Sequence, residues 1–265
     1  MKEINLVYSG CSTLFYCHLG ATKRLLEEYK VKEIVATSGG SIIGSLVACG
    51  YSYEQIERIV KSIKLKDMYD SNLFPFVPNW GLIKGERIKK AIEEYIPFTF
   101  EELDFPLNIV VSKLGIREPT YLNKKNNPKM KISDAIRASI SIPILFDVFV
   151  LEGDKYVDGG ILNNFAIDYF KNNTIGIRIK STYDKVKIPT NPIEYLQEIL
   201  AMLMEATENE HIEDAIYNKT ITINTDKNGL SFDHSPTEIN YMIKQGYEQT
   251  SIFLKEMNKN NFENK

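Results

Sequence analysis

The stretch IVATSGGSIIGSL, residues 34–46, constrains the fold more than any other part of the sequence. Its β-branched and apolar run ends abruptly at Thr37, and a small-residue pattern of helical period follows at once. The pattern predicts a strand that turns directly into a helix, with Ser38 on the corner. Glycines at positions 40 and 44 would let that helix lie close to the strand.

Strands and helices alternate along most of the chain. Strands are predicted at Ile4–Gly10, 32–37, 107–114, 118–123, 145–151, 155–160, 175–180 and 220–225. Helices are predicted at 19–29, 40–49, 56–63, 88–95, 133–140, 192–217 and 236–257. Ser133 is expected to cap the helix at 133–140. This alternation predicts a single α/β domain, with a mainly parallel central sheet covered by helices on both faces. No linker-like composition interrupts it, so we assign residues 1–258 to one domain and 259–265 to a polar tail.

Composition narrows the possible partners and the compartment. The net charge of −3 gives no general attraction to nucleic acid. Three cysteines without metal-ligand or disulfide spacing indicate reduced thiols, as in a cytoplasmic protein. No apolar run is long enough for a signal-peptide core or a membrane span, so we expect any contact with lipid to be peripheral.

The corner at Ser38 has the form of a nucleophile elbow. The usual G-x-S-x-G pattern occurs here as Ala36-Thr37-Ser38-Gly39-Gly40. A helix that begins at such a corner favours negative charge on the hydroxyl, because its free N–H groups point there. An ordinary strand-to-helix turn is the alternative interpretation.

A serine nucleophile also needs a base. In the α/β-hydrolase arrangement, His211 or His234 would complete a Ser-Asp-His triad. That fold places several strands before its nucleophile, whereas only one predicted strand precedes the elbow strand here. A nucleotide-binding protein is a further alternative, since residues 9–20 form a small-residue loop between strand and helix. The chain lacks G-x-G-x-x-G and the P-loop G-K-[ST], which argues against that alternative.

Several segments, in order between residues 9 and 170, resemble the patatin-like phospholipases. They are SGCSTLFYCHLGATKRLLEE from Ser9, ATSGGSIIGSL from Ala36, GLIKGERIKKAIEE from Gly81, IRASISIPILF from Ile136 and YVDGGILNNFAIDYF from Tyr156. In that family a glycine-rich oxyanion loop follows the first strand, the serine elbow follows the second, and an aspartate comes much later in a D-G-G/A motif. The resemblance implies a patatin-like three-layer α/β sandwich and does not extend to the last third of the chain.

The resemblance also implies a site and a reaction. Ser38 would be the nucleophile and Asp158 its base, with Gly40, Gly159 and Gly160 supporting the two turns. Burial would raise the pKa of Asp158 from about 3.9, which makes the carboxylate a better base. The expected substrate is a phospholipid or another acyl-ester lipid at a membrane or micelle surface. The family needs no metal or organic cofactor, and the sequence indicates no obligate protein partner.

The oxyanion loop departs from the family pattern. Three successive glycines are usual, and this chain has Gly10, Cys11 and Ser12, with Leu14 where a basic residue is common. Because backbone N–H groups form such a hole, these residues could still donate if their backbone angles permit it. Positive φ is uncommon outside glycine. A catalytically impaired protein of the same fold that binds acyl lipids therefore stands as the alternative function.

Overall fold

The computed structural model describes residues 1–68, 70–71, 80–182, 188–214 and 218–263, without the side chains of residues 213, 214 and 260–263. The strands are β1 (Lys2–Tyr8), β2 (Tyr29–Thr37), β3 (Gly81–Ile83), β4 (Leu107–Lys113), β5 (Thr120–Asn123), β6 (Ile144–Phe146), β7 (Phe149–Leu151), β8 (Asp154–Asp158), β9 (Thr174–Ser181) and β10 (Lys219–Thr225). The helices are α1 (Phe15–Leu26), α2 (Gly39–Ala48), α3 (Tyr53–Ser62), α4 (Glu86–Tyr95), α5 (Ile132–Ser139), α6 (Gly160–Asn163), α7 (Pro192–Asp214) and α8 (Pro236–Glu263).

The central sheet is mixed and mostly parallel. Its strand order is β10-β9-β1-β2-β4-β8-β7, and β5 also pairs with β4. The strands from β10 to β4 run parallel, whereas β5, β7 and β8 pair in antiparallel fashion. The α/β class with a mainly parallel sheet is therefore confirmed, and the antiparallel strands are confined to one side of it.

Alternate residues of the central strands face two separate cores. Leu6, Tyr8, Ile34, Ala36, Ile109 and Val111 belong to the large core beneath α1, α2 and α8. Val7, Val35 and Val110 face the other side and pack with Phe165 and Ile167, which follow α6. This period of two is what a strand produces when both sheet faces are covered. The predicted layers on both faces are thus present.

Strand register brings distant segments to one edge of the sheet. β1 and β2 are parallel neighbours with Tyr8 opposite Ala36, so the turns that follow both strands lie side by side. On the other side of β2, Thr37 pairs with Val110 of β4. β8 runs antiparallel to β4 and ends with Asp158 opposite Val111, one residue further on. The residue after Thr37 and the last residue of β8 therefore reach the same level of the sheet.

Several details differ from the sequence-based expectations. The predicted strand 145–151 is two short strands, β6 and β7, which lie in different sheets, and Tyr29, predicted at the end of a helix, begins β2. Ser133 does not cap α5, because the N-cap is Lys131 and Ser133 lies buried inside the first turn. The last helix continues to Glu263, past residue 258, and residues 264–265 lie outside the described part. The division into a domain and a tail stays a prediction. Among the described residues, no helix combines the length and apolar character that a membrane crossing requires.

Candidate active site

The elbow holds Ser38 in a backbone conformation that few L-residues adopt. Ser38 has φ 49° and ψ −129°, and α2 begins with the next residue. Such a conformation costs on the order of 1–3 kcal/mol and persists only where neighbours fix it. Here the Ser38 N–H donates to Ser139 Oγ at 2.8 Å, and that hydroxyl donates in turn to the Val110 carbonyl. The corner is therefore fixed from the sheet and from α5.

Ser38 and Asp158 are in direct contact. Ser38 Oγ donates to Asp158 Oδ2 at 2.6 Å, although 120 positions separate the two residues. The other carboxyl oxygen, Oδ1, accepts the Gly160 N–H at 2.7 Å, and both side chains are buried. Burial raises the pKa of Asp158 to about 7, against the lowering effect of its two hydrogen bonds. The carboxylate can thus accept a proton near neutral pH.

The motif glycines are required by close packing. A Cβ on Gly40 would lie 2.4 Å from the Ser9 carbonyl oxygen, and one on Gly159 would lie 2.2 Å from the Val110 carbonyl oxygen. A Cβ on Gly160 would meet Asn164 Oδ1 at 2.4 Å. Real Cβ atoms do not approach backbone as closely as those on Gly40 and Gly159 would, so the turns at Ser38 and Asp158 depend on these two glycines. At Gly160 the close atoms belong to side chains, Met204 Cε and Asn164 Oδ1, which can move.

The predicted oxyanion loop lies beside Ser38 in the same cavity. The Gly10 N–H already donates to the Asn164 carbonyl at 2.9 Å, so it is occupied in this conformation. The N–H groups of Cys11 and Ser12 have no acceptor among the described residues. Ser12 has φ 51°, the conformation for which the family pattern uses glycine. The structure thus brings the three loop residues, Gly10, Cys11 and Ser12, close to the Ser38–Asp158 pair. Of the three loop amides, those of Cys11 and Ser12 are free within the described part of the chain.

Three further residues contribute to the site. Ser139 and Asn164 lie within segments that carry the family resemblance, and only Glu208 lies outside them. Ser139 fixes the elbow, as described above. Asn164 Nδ2 donates to Glu208 Oε1, and the Glu208 side chain is buried at the cavity wall. Burial raises the pKa of Glu208 to about 7, with Arg178 nearby as the main opposing charge. Ser139 lies in the segment IRASISIPILF, and Asn164 is the second asparagine after the DGG motif. The sequence around Glu208 resembles no motif.

No histidine bonds to the serine. His211 Nδ1 contacts Asp168 Oδ2 at 2.9 Å, and His234 Nε2 contacts Thr13 Oγ1 at 3.1 Å. His18 is buried, and its Nε2 contacts the Ser9 carbonyl. The chain has only these three histidines, so the geometry does not support the Ser-Asp-His alternative.

The cavity above Ser38 has a volume of about 310 Å³. Its walls include the apolar side chains of Leu14, Ile142, Leu145, Ile179, Leu200 and Met204. Burial raises the pKa of the Cys11 thiol well above its usual value, which keeps that side chain neutral. In the described part of the chain, no group of His, Cys, Asp and Glu residues is arranged to hold a metal ion.

Comparison with known proteins identifies the family of this chain. The model of the patatin-like phospholipase family matches residues 6–171, which is more than half of the chain. This chain belongs to the patatin-like phospholipase family. The match contains the elbow, the oxyanion loop and the Asp158 turn, and it ends before β9.

Individual relatives and one solved structure are similar over larger parts. The chain is 25% identical over 268 residues to probable lipid hydrolase 463L of Invertebrate iridescent virus 6, covering 95% of this chain and 89% of that protein. It is 30% identical over 176 residues to human patatin-like phospholipase domain-containing protein 4, covering 63% and 68%. The fold is similar to that of VipD from Legionella pneumophila, with TM-score 0.66 and 16% identity, covering 96% of this chain and 67% of that one.

Proposed function

We propose that this patatin-like protein is a lipid acyl hydrolase, of phospholipase A or esterase type, that uses Ser38 and Asp158. The observation that carries the proposal is the 2.6 Å hydrogen bond from Ser38 Oγ to a buried carboxylate, at one end of an apolar cavity. Family membership and the similarity to a probable lipid hydrolase support the substrate class, a phospholipid or another acyl-ester lipid.

In the proposed reaction, Asp158 is the proton acceptor in both the acylation and the deacylation step. Ser38 Oγ bonds to the ester carbonyl carbon while its proton passes to Asp158. The ester C–O bond then breaks, and the leaving alcohol takes that proton, which leaves an acyl group on Ser38. A water molecule attacks the acyl carbon and gives its proton to Asp158. The fatty acid departs as the proton returns to Ser38 Oγ.

The free amides of the loop would stabilise the oxyanion in both steps. We assign this role to the N–H groups of Cys11 and Ser12, since they have no acceptor among the described residues. Gly10 would instead hold the loop to Asn164. Losing one such donor typically costs about 10²–10³ in rate.

One observation favours the alternative, a lipid-binding protein of low activity. The Gly10 amide is occupied, and the loop has Ser12 at positive φ where the family pattern has glycine. A fluorophosphonate probe distinguishes the two functions, because it labels only a serine that is nucleophilic and supported by an oxyanion site. An absence of labelling, together with lipid binding, would favour the binder.

The decisive test measures fatty acid release from mixed phospholipids and labelling by the probe. We expect Ser38→Ala to abolish both, and Asp158→Asn to lower hydrolysis about 10⁴-fold. Ser62→Ala, His211→Ala and His234→Ala serve as controls and keep activity. Activity that persists in Asp158→Asn and disappears in either histidine variant would refute the Ser38–Asp158 assignment.

A further inference from the structure

The first half of α7 exposes an unusual number of large apolar side chains. In the turns up to residue 203, Ile193, Tyr195, Leu196, Ile199, Met202 and Leu203 are each at least 36% exposed. We call these six residues the apolar face of α7. Scattered exposed hydrophobic residues are normal, but a contiguous patch usually marks a surface that binds something.

The exposure of this face differs from that of an ordinary amphipathic helix. A surface helix normally directs its apolar side to the core and its charged side to water. The side of α7 that lines the cavity is mixed, with Glu198, Glu205 and Glu208 beside Leu200, Ala201 and Met204. Glu208 is 4% exposed, whereas Met202 is 59% and Leu203 50% exposed. The described fold therefore buries one glutamate and leaves the apolar face of α7 uncovered.

The apolar face is continuous with the cavity above Ser38. Met202 belongs to the face and also lines the cavity. Leu230, on the loop before α8, is 40% exposed and lines the cavity as well. The cavity therefore opens beside the face, and an acyl chain entering from there would contact apolar side chains along its path.

The charges around the face indicate which surface it can bind. From Pro192 to Glu210 the helix carries five glutamates and no lysine, arginine or histidine. Two of these glutamates, Glu205 and Glu208, pair with Lys180 and Arg178 of β9. The helix therefore has no cluster of Lys and Arg of the kind that anionic lipid surfaces attract. Insertion of apolar side chains into a neutral interface needs no basic residues.

We propose that the apolar face of α7 docks onto a lipid surface with zwitterionic headgroups and opens the cavity toward that surface. This inference rests on the proposed function, because it adds where the substrate enters. A second copy of the chain seated on the same face would cover Met202 and obstruct the opening. The face therefore fits a lipid layer better than a self-association surface.

The test measures partition onto phosphatidylcholine vesicles, using Ser38→Ala so that no substrate is consumed. We expect the double variant Leu196→Glu, Leu203→Glu to bind about 10-fold more weakly or worse, since two inserted side chains are lost. Neither residue lines the cavity, so hydrolysis of a short-chain soluble ester by the chain with Ser38 intact should persist. The matched control is Ile252→Glu, on α8, which is 56% exposed and leaves partition unchanged.

Adding phosphatidylserine to the vesicles or raising the salt concentration should not strengthen binding. If the double variant fails to fold, two variants that introduce no glutamate test the same face. These are Tyr195→Ser, which should partition less, and Met202→Trp in a Trp80→Phe background, whose fluorescence should shift to the blue on vesicles.

Several results would overturn the inference. They are equal partition of the double variant and its parent, a requirement for phosphatidylserine, and a lipid-free dimer that the double variant converts to monomer. The proposed function fails separately, if the chain with Ser38 intact binds vesicles through this face and hydrolyses no ester. The two proposals can therefore be refuted independently.

Discussion

Two neighbouring corners of the sheet carry the two halves of the proposed site, and the serine has a different role in each. One is the turn from β1 toward α1, residues 9–14, and the other is the turn from β2 into α2 at Ser38. Each contains a serine at positive φ, 51° for Ser12 and 49° for Ser38. The Ser38 corner has no residue between strand and helix other than the serine, whereas the first corner is several residues long.

The difference in length determines which group faces the cavity. The tight corner projects a side chain, the Ser38 hydroxyl, toward Asp158. The longer corner presents main-chain N–H groups, two of which have no acceptor among the described residues. A side-chain role fixes the residue type, but a main-chain role requires only that the backbone adopt its angles. This explains how Cys11 and Ser12 can stand where the family pattern has glycines, whereas the elbow retains its serine.

The largest expected effect comes from the residue that joins the two corners. A Cβ on Gly39 would lie 2.2 Å from the Ser12 carbonyl oxygen, so Gly39→Ala pushes the corners apart. We expect kcat to fall by about 10²–10³, the effect of losing an oxyanion donor. Gly115→Ala is the control, because Gly115 has φ 93° and no neighbour near its Cβ position. It should lose about 1–2 kcal/mol of stability, because alanine is strained at this φ, and keep kcat. Unchanged kcat in Gly39→Ala would show that the corners act independently.

A pH series of kcat/KM distinguishes Asp158, beside the Ser38 corner, from Glu208, behind the oxyanion loop. Asp158 and Glu208 both have a pKa of about 7. Since only Asp158 is proposed to accept a proton, kcat/KM should fall about tenfold per pH unit below 7 in the wild type and in Glu208→Gln alike. A profile that moves in Glu208→Gln would assign the titration to Glu208.

The raised pKa values of Asp158 and Glu208 also predict how the stability of the fold changes with pH. Because folding raises these pKa values, each acid contributes stability that is fully present below about pH 4 and is lost as pH rises through 7. Asp158→Asn should therefore gain stability relative to the wild type between pH 5 and pH 8, by roughly 2–3 kcal/mol. Denaturant unfolding at both pH values measures the gain. An equal difference at both would contradict the raised pKa.

The smallest effect tests the strain in the longer corner. Ser12→Gly should raise the free energy of unfolding by about 1 kcal/mol, because glycine adopts positive φ without steric cost. Activity should change little, since the N–H group at this position remains. Ser12→Val should show the opposite, with lower stability and lower activity, because a β-branched residue disfavours that φ. Similar stability in both variants would show that Ser12 is not strained.

The sequence itself determined the local features of the site. The elbow, the D-G-G turn and the alternating elements are each encoded within a few neighbouring residues, because turns and helix starts depend on local backbone preferences. Strands were likewise predicted at 145–151 and 155–160, and β7 and β8 form an antiparallel pair there. Ser133 is one exception, since α5 begins at Ile132 and Ser133 lies buried within its first turn.

Only the tertiary structure decided the features that depend on distant contacts. The Gly10 N–H donates to the Asn164 carbonyl, although 154 positions separate the two residues. Glu208 reaches the site from α7, and packing leaves the apolar face of that helix exposed to water. Apolar spacing identifies a helix but does not tell which way it faces, because that depends on which surface the rest of the chain presents to it. The hydroxyl and the carboxylate were recognisable as residues, and the 2.6 Å between them follows from the register of β2, β4 and β8.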